Sequence, residues 1–490
     1  MSRRTGPSPR RLTGPSPRPG HPRRPGRALI ARPPISRRAG GWRVAVAAAV
    51  VAALLPVDAP AAGADTGTLA RPEPGTHATH PTGRTAGPQG EVAKGPSGTA
   101  DRGRAWVGTW QTTAQAPMGP TWQGPNWSQE GFDNHSLRQV VRVSVGGPMV
   151  RIRVSNVYGQ RPLRLTGATV GKAAQGAAVQ PGTLRRVRFD RTSSTVVPPG
   201  RERFSDAVPL SVAPLDRLTV TLYVAEPTGP ATFHEFAAAT TYRATGDHLF
   251  DETAAAYTET GRSWYYLSGV DVARQRGRAE HAVVIAGDSI TDGVGASSDT
   301  DNRWPDELAE RLAAAHRPVG VLNAGLAGNR LLTDSNCYGE RLTARFARDV
   351  LDQSGVRTVV VLEGINDIGA PLWVDPCLGP RPVITADQLI EGYRTLIRAA
   401  HARGITIIGA TLLPFKGGGY HSDQGEQTRV TVNQWMRTSG EFDAVVDLDQ
   451  AVADPSEPAR MRADYNAGDG IHPNDAGYRA MAAAFDLDDL

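Results

Sequence analysis

The sequence predicts an α/β protein with two folded parts: an antiparallel β-sandwich, then a three-layer α/β/α domain on a parallel sheet. Two observations carry this. From 104 to 270 apolar residues recur with period two, and from 278 to 490 short wholly apolar runs alternate with helical periods. A third concerns extent. The 490 residues suit two or three domains, and composition is ordinary for a globular chain at 40% hydrophobic and 21% charged. With 54 Gly and 38 Pro the chain is too loop-rich for a coiled coil, and it shows no repeat of about 20–50 residues.

Residues 1–64 read as a leader. They hold 12 Arg, no Lys and one acid, Asp58. The basic part ends at Arg43, an apolar stretch runs from Val44 to Val57, and Ala62-Gly63-Ala64 fits a small-x-small cleavage pattern. A mature start near Asp65 and a secreted, extracellular protein are the expectation. Ser36-Arg37-Arg38 lacks the apolar residues that normally follow a twin-arginine pair, so the general secretory and twin-arginine routes both stay open. The competing reading is an uncleaved anchor. The apolar run is short for a span of about 20 residues, so no stable membrane insertion is expected after cleavage.

The leader also explains the charge. The chain carries +5 overall, but beyond residue 64 there are 42 basic and 48 acidic residues, a net of −6. Phosphate binding needs clustered cations, so no nucleic-acid partner is expected. Residues 65–103, rich in Gly, Thr, Pro, Ala and His without apolar period, read as a disordered linker. His77 and His80 fall there, without the rigid scaffold a metal site needs.

In the 104–270 part, Val141, Val143 and Val145 alternate with polar residues. Val150, Ile152 and Val154 do the same after Gly146-Gly147-Pro148. The pattern predicts a hairpin with one buried and one wet face. Leu218, Val220, Leu222 and Val224 repeat it. In the 278–490 part the apolar runs are Ala282–Ala286, Val319–Leu322, Thr358–Leu362, Ile405–Ile408 and Ala444–Val446. Strands without polar alternation are buried on both faces, as in a parallel sheet covered by helices. Leu308 with Leu312, and the series Leu389, Ile390, Tyr393, Leu396, Ile397 and Ala400, mark two of those helices.

Ligands of such sheets bind at the carboxyl ends of the strands, so the chemistry should follow each run. After the first comes Gly287-Asp288-Ser289-Ile290-Thr291-Asp292-Gly293. A serine at a strand-to-helix turn is a candidate nucleophile; the alternative is a helix cap. After the second comes Asn323-Ala324-Gly325-Leu326-Ala327-Gly328-Asn329, where a glycine N–H can approach an oxyanion unobstructed; the alternative is a tight turn. After the third comes Glu363-Gly364-Ile365-Asn366-Asp367, whose Asn366 offers an N–H to a developing negative charge, or merely sits in a turn. Near the C-terminus, Asp469-Gly470-Ile471-His472-Pro473 puts an acid three residues before a His, where it can fix the ring tautomer, or where the pair forms a surface turn.

Together the four blocks resemble the SGNH (GDSL) hydrolase superfamily of serine esterases and lipases over about 280–490. The resemblance implies that Ser289 is the nucleophile and His472 the general base, oriented by Asp469. It implies an oxyanion hole formed by the backbone N–H of Ser289, by Gly328 and by Asn366; Gly325 is the competing glycine. Asn302-Arg303-Trp304-Pro305, Gly328-Asn329-Arg330 and Gly364-Ile365-Asn366-Asp367 resemble a secreted branch with an N-terminal β-domain. That extends the likeness to 104–490 and implies acyl or acetyl esters, on polysaccharide, as substrates.

No metal or organic cofactor is expected, since H-E-x-x-H and P-loop patterns are absent. The other readings are a general short-chain esterase or lipase, and a carbohydrate-binding protein on an inactive hydrolase scaffold. The second would have lost one of Ser289, Asn366, Asp469 or His472. An α/β-hydrolase would need G-x-S-x-G, which is absent. The two cysteines, Cys337 and Cys377, are expected to form a disulfide given export, against two free thiols. Asp288 and Asp292 are expected to fix the nucleophile turn. Trp110, Trp122 and Trp127 are candidates for stacking on sugar, with packing the alternative.

Overall fold

The computed structural model describes residues 105–273 and 280–490. The readings of the leader (1–64), and of the linker (65–103) with its two histidines, lie outside them. The described residues fall in one compact unit.

Besides two small two-stranded sheets, Phe233–His234 with Trp264–Tyr265 and Leu163–Leu165 with Thr195–Val197, residues 106–273 form two main antiparallel sheets. One has the spatial order Trp106–Gln111, Leu267–Ala273, Val150–Ser155, Glu202–Phe204. The other runs Glu259–Gly261, Thr241–Thr245, His135–Arg142, Arg217–Val224, Gly167–Lys172, Arg185–Val187. Period-two patterning places Leu218, Val220, Leu222 and Val224 in the core as expected. The opposite face is not wet, however. Thr219 and Thr221 are fully buried, and Arg138, itself buried, donates from Nε to Thr221 Oγ1 at 3.0 Å.

The hairpin predicted around Gly146-Gly147-Pro148 does not form. Its arms belong to different sheets: His135–Arg142 pairs with Arg217–Val224, and Val150–Ser155 pairs with Leu267–Ala273. Between them Ser144 donates its backbone N–H to Thr109 and Gly147 pairs with Val212, so the chain crosses from sheet to sheet. Alternation fixes which face of a strand is buried but not which strand lies beside it. The expected wet face of Val150–Ser155 is covered as well. Arg153 is buried and donates from Nη2 to Gln353 Oε1, 2.7 Å away in the second domain.

The second domain holds five parallel strands in the order Val319–Gly325, His281–Gly287, Val356–Leu362, Thr406–Ala410, Ala444–Val446. All five predicted runs are strands, and every neighbouring pair is parallel. The predicted helices are Trp304–Ala314 and Ala386–His401; the first packs on Asp475–Ala483, the second on Asp423–Thr438. Thr385 starts the longer one with a capping box completed by Gln388. The strand order reverses at His281–Gly287, which puts the topological switch point at the end of that strand.

The domains meet backbone to backbone. A Cβ on Gly320 would lie 2.1 Å from the Gly108 carbonyl oxygen, so only glycine permits this approach of Trp106–Gln111 to Val319–Gly325. One apolar cluster runs through both domains.

Candidate active site

Ser289 opens a one-turn helix, Ser289–Asp292, at the end of the strand His281–Gly287. Asp288 caps that helix, accepting the Ile290 N–H at 2.9 Å, so Ser289 itself is not the cap. Gly293 closes the helix in the left-handed region at φ +107. The hydroxyl is left free to face the C-terminal loop.

That loop brings His472 to it. His472 Nε2 lies 2.8 Å from Ser289 Oγ, across 183 residues of chain, and His472 Nδ1 lies 2.5 Å from Asp469 Oδ2. A carboxylate can only accept, so Nδ1 carries the proton and Nε2 presents its lone pair to the serine O–H. Asp469 Oδ1 accepts the backbone N–H groups of Ile471 and His472 at 2.9 and 2.8 Å. Burial opposes the Asp469 charge, but the His472 ring and these two N–H groups outweigh it and hold the carboxyl down at about 2.

The two candidate glycines take different positions. Gly325 lies against the Ser289–Asp292 helix: a Cβ there would be 2.3 Å from the Asp292 backbone nitrogen. Gly328 occupies the turn beyond, at φ +72, where a Cβ would be 2.3 Å from the Tyr338 ring. Asn366 stands on the Ile365–Gly369 helix after the third strand. Its Nδ2 donates one proton to the Asn329 carbonyl at 2.9 Å, and its Oδ1 accepts the Tyr420 O–H at 3.1 Å. The amide nitrogen keeps a second proton. Asp367 binds the turn from the same helix, accepting the N–H groups of Leu331 and Leu332 at 2.7 and 3.0 Å.

Three carboxyls are buried beneath the site. Burial pushes Asp367 up to about 6, against its hydrogen bonds. It also pushes Asp288 up to about 7 and Glu363 well above the usual range. Asp292 binds elsewhere, to His234 and Ala327, so both aspartates of the nucleophile block have structural partners. Among the described residues no group of three or more His, Cys, Asp and Glu is arranged to hold a metal ion.

Cys337 and Cys377 form a disulfide with Cα atoms 5.6 Å apart. The three tryptophans divide. Trp110 is buried edge-on to Trp264, and Trp127 stacks on Tyr265 under Arg243. Trp122 is 57% exposed and stacks by one face on Phe236.

Sequence reasoning missed Tyr420 and Tyr338. Tyr420 follows Gly417-Gly418-Gly419 in the loop after the fourth strand, and a glycine run at a strand's carboxyl end was the available signal. Tyr338 had none beyond its place next to Cys337.

Residues 285–480 match the GDSL-like lipase/acylhydrolase family. No curated protein matches the chain. Similar solved structures include Axe2, an acetylxylan esterase from Geobacillus stearothermophilus, at 24% identity over 43% of this chain and 93% of that one, TM-score 0.33. A lipase/acylhydrolase from Enterococcus faecalis is similar at 22% identity over 42% and 92%, TM-score 0.33. So is a GDSL-like lipase from Bacteroides thetaiotaomicron VPI-5482, at 19% over 41% and 84%, TM-score 0.31. All four blocks fall within the matched stretch: residues 285–480 are a GDSL-like lipase/acylhydrolase domain, and the chain is a carboxylic ester hydrolase.

Proposed function

We propose that the chain is a secreted serine esterase that removes short acyl groups, acetyl foremost, from polysaccharide through an acyl-enzyme. The observation that carries the chemistry is the 2.8 Å approach of His472 Nε2 to Ser289 Oγ, with Asp469 behind the ring. His472 takes the serine proton as Oγ attacks the ester carbonyl. The oxyanion is received by the N–H groups of Ser289 and Gly328 and by the free proton of the Asn366 amide. The imidazolium protonates the leaving alcohol, and water repeats the cycle on the acyl-enzyme. No step calls for a metal or an organic cofactor.

Two observations support a glycan as the alcohol partner. Trp122 keeps one ring face open, the geometry used to stack on a sugar. Beside it is a cavity of about 290 Å³ lined by polar groups, among them Gln123, Asn126, Thr260 and Arg262. Export is supported by the leader pattern and by the Cys337–Cys377 pair, since disulfides persist in oxidising compartments. A second reading, a lipase or general esterase, is favoured by exposed Leu372 and Val374 in the loop after the Asn366 helix. A panel of acetylated xylan, acetylated pectin, feruloyl esters, short and long nitrophenyl esters and phospholipid tests the two. Fastest turnover of an acetylated polysaccharide supports the first reading; preference for long acyl chains or phospholipid replaces it with the second.

A further inference from the structure

His234 belongs to the β-domain, in the short strand Phe233–His234, yet it is buried against the nucleophile helix. Its Nδ1 lies 2.8 Å from the Thr113 carbonyl oxygen. Its Nε2 lies 3.0 Å from the Phe236 carbonyl oxygen and 2.9 Å from Asp292 Oδ1. All three partners accept and none donates. A neutral imidazole carries one N–H and would leave the other ring nitrogen's lone pair against an oxygen, so only the imidazolium satisfies this pocket.

Asp292, the last residue of the Ser289–Asp292 helix, is buried too. Its second oxygen, Oδ2, accepts the backbone N–H of Ala327 at 3.0 Å, one residue before Gly328. The carboxylate therefore holds the oxyanion turn with one oxygen and a cation of the other domain with the second.

We propose that His234 is a charged positioning residue: through Asp292, the β-domain locks the turn that carries Gly328 to the helix that carries Ser289. The proposal rests on the serine-esterase reading above and gives the β-domain a part in the chemistry. The charges around the pair agree with it. Burial alone pushes the His234 pKa down, but the Asp292 charge and hydrogen bond, with the two carbonyls, outweigh it and the net shift is upward. The other titratable neighbours do not replace the cation. Glu235, next along the chain, is pushed up toward its neutral form by burial. Arg303, beyond the Trp264 ring stacked on His234, is committed to Asp306 at 2.7 Å. Without His234 the buried Asp292 carboxylate would lose its hydrogen-bonded cation and keep only the more distant Arg303 charge, which is costly.

The test is a cycle of H234Q, D292N and the double variant in the full chain, with kcat and KM measured on a nitrophenyl ester and Ser289→Ala run alongside. H234Q is expected to lower kcat by up to about 10²-fold with KM little changed, the cost of a displaced catalytic donor. Adding D292N to H234Q removes the charge left without its hydrogen-bonded cation and is expected to restore part of that loss. Losses that simply add, a loss carried by KM, or an unaltered kcat in H234Q would each overturn the proposal. Full activity in Ser289→Ala would instead overturn the esterase reading beneath it. Should H234Q fail to fold, 15N spectra of the histidine-labelled wild type decide. A ring with both nitrogens protonated at neutral pH and N–H groups slow to exchange supports the proposal. Its absence overturns it.

Discussion

Tyr420 and the Asn329 carbonyl together fix the Asn366 amide: the Tyr420 O–H reaches Asn366 Oδ1 at 3.1 Å while Nδ2 donates to the Asn329 carbonyl at 2.9 Å, so its nitrogen and oxygen ends cannot exchange without losing both bonds. A flipped amide would present a lone pair to a developing oxyanion. Removing the donor altogether, in Asn366→Ala, is expected to lower kcat by about 10²–10³-fold with a smaller change in KM. Tyr420→Phe removes only the orienting bond, worth about 0.5–1.5 kcal/mol, and should cost kcat about 2–10-fold. Steady-state kinetics on one nitrophenyl ester checks both, and a loss confined to KM would move Asn366 from oxyanion stabilisation to substrate binding.

Ser289→Ala should abolish turnover of the same ester, by at least about 10⁴-fold, while circular dichroism and the unfolding temperature stay close to wild type. The serine makes no capping bond that alanine would forfeit, because Asp288 already caps the helix. Labelling by a fluorophosphonate should disappear in the same variant.

The sequence announced the parallel sheet clearly because runs such as Val359–Leu362 are apolar on both faces, which few other arrangements tolerate. Ser289, Gly328 and Asn366 were legible as candidates because each follows such a run, where side chains converge on one rim, and His472 was legible by the acid three residues before it. What stayed hidden depends on partners distant in sequence. Nothing local in His135–Arg142 or Val150–Ser155 says that they lie in different sheets. Nothing local distinguishes Gly325 from Gly328, since the decisive neighbours are the Asp292 backbone and the Tyr338 ring. Tyr420 and His234 act through Asn366 and Asp292, and neither carries a motif of its own.

Asp469→Asn should lower kcat by about 10⁴-fold while leaving the fold in place. An amide at this position would offer its NH₂ to His472 Nδ1, which then gives up its own proton and leaves Nε2 protonated toward Ser289. In the wild type Asp469 is held down at about 2, so it keeps its charge at every pH above that. Any loss of kcat on acidification above that point is therefore due to protonation of a group other than Asp469. Steady-state kinetics on the nitrophenyl ester checks the variant, and an unaltered kcat would remove Asp469 from the proton relay.

Asp288 has a folded pKa of about 7 against an ordinary 3.8, mainly because it is buried. The sign follows from linkage. A raised carboxyl pKa favours the fold while the group is neutral, so the contribution is complete below 3.8 and is lost as the pH rises through about 7. Asp288→Asn keeps an oxygen to accept the Ile290 N–H and cannot ionise. Thermal unfolding should find the variant no more stable than wild type below pH 3.8 and more stable above about 7. Equal stability across that range would show that Asp288 keeps its charge in the folded protein.

The Cys337–Cys377 disulfide closes a 40-residue separation and ties down the segment that walls the turn carrying Gly328. Within that segment Tyr338 packs on Gly328, and its O–H donates to Asp375 Oδ2 at 2.5 Å, two residues before Cys377. The bridge therefore fixes both ends of the Tyr338 contact. In the chain-entropy account a loop of this length contributes about 4 kcal/mol. Replacing both cysteines by serine should lower the unfolding temperature and make it insensitive to reductant, whereas reductant lowers it in the wild type. Because Tyr338 then moves more freely against Gly328, kcat should fall more than KM rises. A change in stability with kcat untouched would mean that the turn holds Gly328 without this wall.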